Sequence, residues 1–323
     1  MKIIRIICIL SLSFWSNSLY SANLQGIPEF IDEMVEKHHF KRSELDSAFR
    51  HAKHLPSVIE LISRPRKSKP WPEYRASFVN KERIRRGLKF WQKYHKALQS
   101  AERKYGVPQE IIVAVIGVET VYGRNAGSFR ALDALTTLAF DYPRREKFFR
   151  SELENYLLLA RDQEFDLLSI RGSYAGALGV PQFMPSSYRN YAVDFNGDTT
   201  VDLLNQTEDA IGSVANYLKG YGWIRDKAIV LQTKSNGDQH LEAIGDSRPM
   251  SAWSAAGLHT EGNVGQNEVA RLVDYSINDG KEFWLALNNF EVITRYNNSD
   301  YYAMSVYQLA EAIKAARKVN TSK

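Results

Sequence analysis

Residues 107–123, VPQEIIVAVIGVETVYG, read as a helix, and the rest of the chain is interpreted around it. Pro108 suits the first helical position, where its missing N–H costs nothing. Gln109 and Glu110 put polar and negative groups in the first turn, and Gly123 is a plausible stop. Between them Ile111, Ile112, Val113, Val115, Ile116 and Val118 leave no clear polar face. A helix apolar all round is buried inside a larger protein. Its one interior ionisable side chain, Glu119, follows Val115 by four residues and Ile116 by three, so those apolar groups are its helical neighbours. A carboxyl in such a setting resists ionisation and keeps the proton a general acid needs near neutral pH. The competing reading is a structural carboxyl paired with a buried arginine.

A second stretch, RGSYAGALGVPQFMPSSYRNY at 171–191, carries Gly172, Gly176 and Gly179. Such glycines let backbone approach a ligand closely. It is not a phosphate loop, because no Gly-Lys-Ser/Thr follows, and Ser173 is not in a Gly-x-Ser-x-Gly elbow. Ser173 and Gln182 alternate with Tyr174, Phe183, Tyr188 and Tyr191. Rings beside amides and hydroxyls suit the faces and edges of sugars. A structural loop over a core would look similar. Asp141-Tyr142-Pro143-Arg144-Arg145 sets two arginines after a turn, able to bind an anion or simply to solvate a helix start.

The 323 residues, 44% apolar and 24% charged, describe an ordinary globular protein with room for a large core. A net charge of +5 is mild, and no dense basic tract of the nucleic-acid-binding kind is present. Residues 1–22 read as a secretory signal peptide, with Lys2 and Arg5 before a short apolar centre; an uncleaved anchor is the alternative. The single cysteine, Cys8, lies in that leader without a lipoprotein box. His38, His39, His51 and His54 have no Cys or carboxylate cluster to frame a metal site, so ordinary surface or packing roles are expected.

The spacing predicts helices over 27–62, a Pro- and cation-rich loop at 64–72, one long amphipathic helix over 81–105, and further helices at 151–168, 210–221 and 307–318. A strand is expected at 228–233, a turn at Asn236-Gly237, and a hairpin around Asn288-Asn289. Residues 194–209, DFNGDTTVDLLNQTED, place Asp194, Asn196 and Asp198 at alternate positions, as calcium loops do. Thr199 stands where such a loop has glycine, and Asn205 where it has its bidentate glutamate. An Asx-rich turn without metal is the alternative.

Five motifs, VIGVETVYG, DYPRR, GSYAGALGVPQFMPSSY, AIGSVANYLKGYGW and ITRYNNSDYYAMSVYQLAEAI, occur in an order that resembles the lytic murein transglycosylase B family. The resemblance runs from about Tyr74 onward and is weakest over 224–280. It implies a mostly helical α+β protein with a lysozyme-like core formed by residues 101–223 and 290–323. A helical region (23–100) would precede this core, and residues 224–289 would form a small antiparallel β insert. It implies a periplasmic, monomeric enzyme acting on peptidoglycan glycan strands, with no nucleic-acid partner, no organic cofactor and no clear lipid anchor. Proteins of cell-wall synthesis or degradation would be its possible partners.

The implied reaction cleaves the MurNAc–GlcNAc β-1,4 bond without net water addition and leaves a 1,6-anhydromuramyl end. Glu119 would be the sole acid and base, in keeping with the absence of a second carboxyl from its motif; ordinary glycosidases need two. Ser173, oriented toward Glu119, and Gln182 would hydrogen-bond near the reacting centre. Arg144 and Arg145 would face muramyl carboxylates. Tyr74, Phe183, Tyr217, Tyr296, Asn297 and Tyr302 would line the groove. The resemblance also implies structural calcium at Asp194, Asn196, Asp198, the Thr200 carbonyl and Asp209. Two alternatives stand beside it: a lysozyme-type hydrolase, and a non-catalytic peptidoglycan-binding protein.

Overall fold

The structure is a computed structural model that describes residues 24–64, 69–234, 243–262 and 264–321. The expected signal peptide, Cys8 and the Asn236-Gly237 turn lie outside the described residues. The chain is a mostly helical α+β protein. Three short helices open it: α1 (Ile27–His38), α2 (Arg42–His51) and α3 (Pro56–Ser63). Then come α4 (Trp71–Phe78), α5 (Lys81–Lys93) and α6 (His95–Tyr105). The single long helix expected over 81–105 is two, because Tyr94 leaves helical geometry at φ −108°, ψ 25°. Its ring packs on Phe90.

Helix α7 (Gln109–Thr120) lies at the centre. Residues 111–118 and Thr120 are all buried, and Glu119 alone in that run keeps some exposure. An all-apolar helix needs cover on every side. Helices α5 and α6 provide part of it, with α11 (Thr207–Gly220) and α14 (Asp300–Thr321). The chain leaves α7 earlier than Gly123: Val121, Tyr122 and Gly123 all take left-handed φ, at 52°, 62° and 83°. Val121 N–H bonds Gly117 O at 3.2 Å and Tyr122 N–H bonds Ile116 O at 3.3 Å, a tight C-terminal wrap. Gly117 is required there, since a Cβ would stand 2.6 Å from the Tyr122 hydroxyl.

Beyond α7, β1 (Phe129–Arg130) pairs with β2 (Arg171–Gly172), flanking α8 (Ala131–Asp141) and α9 (Glu146–Asp162). Helix α9 therefore starts and stops earlier than the 151–168 reading. Glu164, at φ 54°, turns the chain away after it. Helix α10 (Pro185–Tyr191) follows the glycine loop.

The β region is one antiparallel sheet ordered β4-β6-β7-β3-β5. Its strands are β3 (Val230–Lys234), β4 (Ser247–Pro249), β5 (His259–Thr260), β6 (Val269–Ile277) and β7 (Gly280–Ala286), with α12 (Met250–Ala255) beside them. Residues alternate faces with period two. Val273, Tyr275, Trp284 and Ala286 join the main core. Leu272, Leu285, Met250 and Trp253 form a second core on the other face.

The hairpin expected at Asn288-Asn289 is not there. The two-residue turn is Asn278-Asp279, with Ile277 paired to Gly280. Asn288 instead starts α13 (Asn288–Tyr296), whose Phe290, Val292 and Ile293 are buried along one face. The Asn289 side chain is fully buried and ties the two chain crossings together. Its Oδ1 accepts from Ile224 N–H at 2.9 Å, and its Nδ2 donates to Ile224 O and Lys227 O at 2.9 and 3.0 Å. Asn289→Ala leaves these backbone groups unpaired and should cost about 2 kcal/mol or more, read as a lower urea midpoint.

Candidate active site

Glu119 is the next-to-last residue of α7. Its Oε1 accepts a 2.6 Å hydrogen bond from the Tyr302 hydroxyl of α14. Burial is the larger influence on the carboxyl and raises it, while the phenol bond lowers it; the result is a pKa of about 7. Part of the residue stays open to solvent, yet protein surrounds the carboxyl closely enough for desolvation to dominate. The negative end of the α7 dipole acts in the same direction. No second carboxylate is among the groups acting on Glu119 within the described residues.

The buried-arginine alternative is not what the structure shows. The half-buried Arg83 of α5 donates from Nη1 to the carbonyls of Gly117 and Val118, capping α7, rather than to the carboxylate. Its own carbonyl accepts from the Tyr122 hydroxyl at 2.9 Å. Nothing in the sequence pattern singled out Arg83, which sits among the many cations of an amphipathic helix.

From Tyr302 an aromatic bank runs away from Glu119. Tyr296 stacks on Tyr302 with centroids 6.4 Å apart and planes at 15°. Tyr217 lies 4.8 Å from Tyr296, and Phe183 lies 5.3 Å from Tyr217. Tyr191 and Tyr221 extend the bank. The hydroxyls nearest Glu119 are anchored: Tyr296 donates to Pro181 O at 2.6 Å and Tyr217 to Arg295 O at 2.7 Å. Burial keeps Tyr296 and Tyr302 protonated far above neutral pH, and the nearby Glu119 adds to it.

The glycine loop packs on this bank through Phe183 and Pro181 and is fastened to the end of α7. Thr120 Oγ1, beside Glu119, donates to Val180 O at 2.9 Å. Gln182 adopts φ 54° and donates to Ala126 O and Gly179 O at 3.0 and 2.9 Å. Gly127 and Gly172 touch so closely that a Cβ on Gly127 would stand 2.0 Å from the Gly172 carbonyl. Ser173 closes the turn, its Oγ accepting from Ala177 N–H at 3.0 Å; the hydrogen bond to Glu119 comes from Tyr302 instead.

The structure thus joins Glu119, Tyr302, Tyr296, Tyr217 and Phe183 in one continuous network, with Ser173 and Gln182 in the loop beside it. Asn297 ends α13, its carbonyl accepting from Ser299 N–H at 2.7 Å. Tyr74 belongs to a neighbouring ring group with Trp71, Phe78 and Tyr301. Arg144 and Arg145 lie on an exposed 3-10 turn, where Arg145 covers the Phe148 ring at 4.1 Å. His38, His51 and His54 contact Glu154, Ser47 O and Asp141.

In the 194–209 loop, Asp194 accepts from Gly197 N–H and Thr199 N–H at 2.7 and 2.8 Å. Asp198 accepts from Thr200 through both its hydroxyl and its amide, which with Gln206 holds this carboxyl well below the usual range. Buried Asp209 accepts from the amides of Phe195, Asn196 and Asp202. Thr199 takes left-handed φ of 76°, the conformation that a calcium loop demands at its sixth position. The departure from glycine is thus one of residue type, not backbone shape. Among the described residues no three His, Cys, Asp or Glu side chains converge as a closed metal cage. The all-oxygen donor set nonetheless suits a hard cation.

The chain is similar to known proteins along nearly its whole length. The family described as Transglycosylase SLT domain matches residues 23–311. The chain belongs to this family. It is 44% identical over 306 residues to the membrane-bound lytic murein transglycosylase B of Escherichia coli, covering 92% of this chain and 84% of that protein. The E. coli lytic transglycosylase Slt35, solved in complex with calcium, superposes with a TM-score of 0.87 at 42% identity, covering 94% of this chain and 98% of that one. SltB3 of Pseudomonas aeruginosa, solved with NAG-anhNAM-pentapeptide, gives 0.82 at 29% identity, covering 90% and 79%. The lysozyme-like architecture expected from the motifs is therefore present.

A carboxyl raised from 4.5 to about 7 makes a pH prediction. Between those values the folded protein holds a proton that the unfolded chain has released, so this group's contribution to stability falls as pH rises. Glu119→Gln should therefore gain melting temperature relative to wild type between pH 5 and pH 8, and match it near pH 4. Parallel melting curves at all three pH values would contradict the buried acid.

Proposed function

We propose that the protein is a peptidoglycan lytic transglycosylase in which Glu119 is the only acid/base. The observation that carries this reading is one desolvated carboxyl, held by a tyrosine and with no carboxylate partner among the described residues, beside an aromatic bank. Protonated Glu119 gives its proton to the leaving glycosidic oxygen of the MurNAc–GlcNAc β-1,4 bond as that C–O bond breaks. The resulting carboxylate takes the proton of the muramyl C6 hydroxyl, whose oxygen bonds to the anomeric carbon. The product is a 1,6-anhydromuramyl end and Glu119 is reprotonated, so no water is consumed. A hydrolytic enzyme of the two-carboxylate type needs a second acid across the groove.

In this reading Tyr296, Tyr217, Phe183 and Tyr302 supply flat faces for sugar rings. Ser173, Gln182, Asn297 and Tyr74 add edge contacts, and Arg144 and Arg145 receive muramyl or peptide carboxylates. Residues 101–223 and 290–323 form the catalytic core, 224–289 an insert, and 23–100 a helical cover. The substrate places the enzyme in the periplasm, reached by the 1–22 leader. No helix among the described residues is long and apolar enough to cross a membrane.

Mass analysis of muropeptides released from purified sacculi tests the chemistry. Wild type should yield anhydromuramyl products, and Glu119→Gln should lose about 10³-fold of the rate. Reducing ends in place of anhydro ends would make the enzyme a hydrolase, and undiminished activity in the variant would remove Glu119 from the reaction.

We also propose that the 194–209 loop holds a structural calcium through Asp194, Asn196, Asp198, the Thr200 carbonyl and Asp209. Bound calcium would brace the loop against α11 and supply no proton chemistry. Adding calcium to chelator-treated protein should raise the melting temperature, and Asp194→Ala should abolish that rise. An unchanged melting curve with millimolar calcium would refute the site.

A further inference from the structure

One arginine that the reaction above does not use joins the sheet to the helices that carry the aromatic bank. Arg271 stands in β6, mostly shielded from solvent. Its Nη1 and Nη2 donate to the two carboxylate oxygens of Asp300 at 2.9 and 2.7 Å. Its Nε donates to Glu291 Oε1 at 2.8 Å. The planar fork thus fixes both carboxylates in direction as well as distance.

Those carboxylates belong to the two helices that build the aromatic bank. Asp300 is the first residue of α14, about half a turn before Tyr302. Glu291 lies in α13, which ends at Tyr296. A link of only three residues, 297–299, separates the helices. Tyr275, on the same strand as Arg271, adds a bond from its hydroxyl to Asp300 O at 3.2 Å. The sheet therefore grips the start of α14 at a side chain and at a carbonyl. A partly buried ion pair adds little net stability, because desolvation offsets its attraction. What it fixes well is orientation.

We propose that Arg271 is a positioning residue of the lytic reaction: by clamping Asp300 and Glu291 it sets the Tyr302 hydroxyl on Glu119 and the spacing of Tyr296 from Tyr302. This rests on the role given above to Glu119. The ionisable groups facing Glu119 are Tyr302 of α14, Tyr296 of α13 and Tyr217 of α11. Arg83 of α5 is engaged with carbonyls behind it. Of these, Tyr302 alone bonds the carboxyl. Loosening α14 removes the contact that lowers the Glu119 pKa, and leaves the burial that raises it.

The test is a double-mutant cycle with Arg271→Gln and Tyr302→Phe, assayed on a soluble peptidoglycan tetrasaccharide across pH 5–9. Arg271→Gln should lower kcat by between about ten- and about a hundredfold, with KM changing less than kcat. The alkaline limb of its kcat/KM profile, where Glu119 loses its proton, should move to higher pH. Tyr302→Phe should show the same limb shift, and the double variant should be no slower than Tyr302→Phe. Should Arg271→Gln not fold, Asp300→Asn opens the same clamp from the other side with the same expectations. Losses that multiply in the double variant, or an alkaline limb left at its wild-type position, would overturn the proposal. Wild-type rates in Glu119→Gln and Tyr302→Phe would instead overturn the assigned acid, whatever Arg271 does.

Discussion

The hydrogen bond between the Tyr302 hydroxyl and Glu119 opposes the desolvation of that carboxyl, and the architecture is arranged around their balance. Burial alone would hold the proton too firmly to release it, and a solvated carboxyl would lose it too early. The compromise needs a helix enclosed almost everywhere and open at one residue. Helix α7 meets that condition beyond its first turn, because its aliphatic run is covered by four helices and Glu119 alone between Ile111 and Thr120 keeps some exposure. Three successive left-handed residues then carry the chain away at once. Left-handed backbone costs Val121 and Tyr122 about 1–2 kcal/mol each. The Tyr122 ring, held between Gly117, Gly87 and the Arg83 carbonyl, offsets it.

The two walls of the site are built on different principles. The glycine loop is backbone against backbone: Gly127 on Gly172, and Thr120 and Gln182 bonding carbonyls at either end. Its shape tolerates no added carbon atoms. The aromatic wall is side chain against side chain, and the phenols of Tyr302, Tyr296 and Tyr217 are anchored to Glu119, Pro181 O and Arg295 O. Rings held at both edge and hydroxyl cannot turn independently of the helices that carry them.

Much of this was legible in the sequence because local rules and burial agree there. An unbroken aliphatic run, a proline start and one interior glutamate are enough to mark α7 and its desolvated carboxyl. Glycine spacing marks the loop, and Asp-x-Asn-x-Asp marks the turn-rich segment after it. The failures share a cause. Asn288-Asn289 resembles a hairpin turn, yet Asn289 is bonded to Ile224 and Lys227 some 65 and 62 positions away. Strand β6 went unassigned because both of its faces are covered, which blurs the alternation of a half-exposed strand. Arg83 and Arg271 act through partners distant in sequence, and their own neighbours carry no hint of them. The turn that lets Thr199 stand for glycine is likewise set by Asp194 and Asp198 holding its flanks.

Glu119 and its phenol partner are 183 positions apart, and this spacing orders events in time. A chain emerging from the ribosome or crossing a membrane presents the acid long before α14 exists. Until then, α7 lacks one of its four covering helices, and the bond that opposes desolvation of the carboxyl is missing. The contact that tempers the Glu119 carboxyl is thus among the last that the chain can form as it is made.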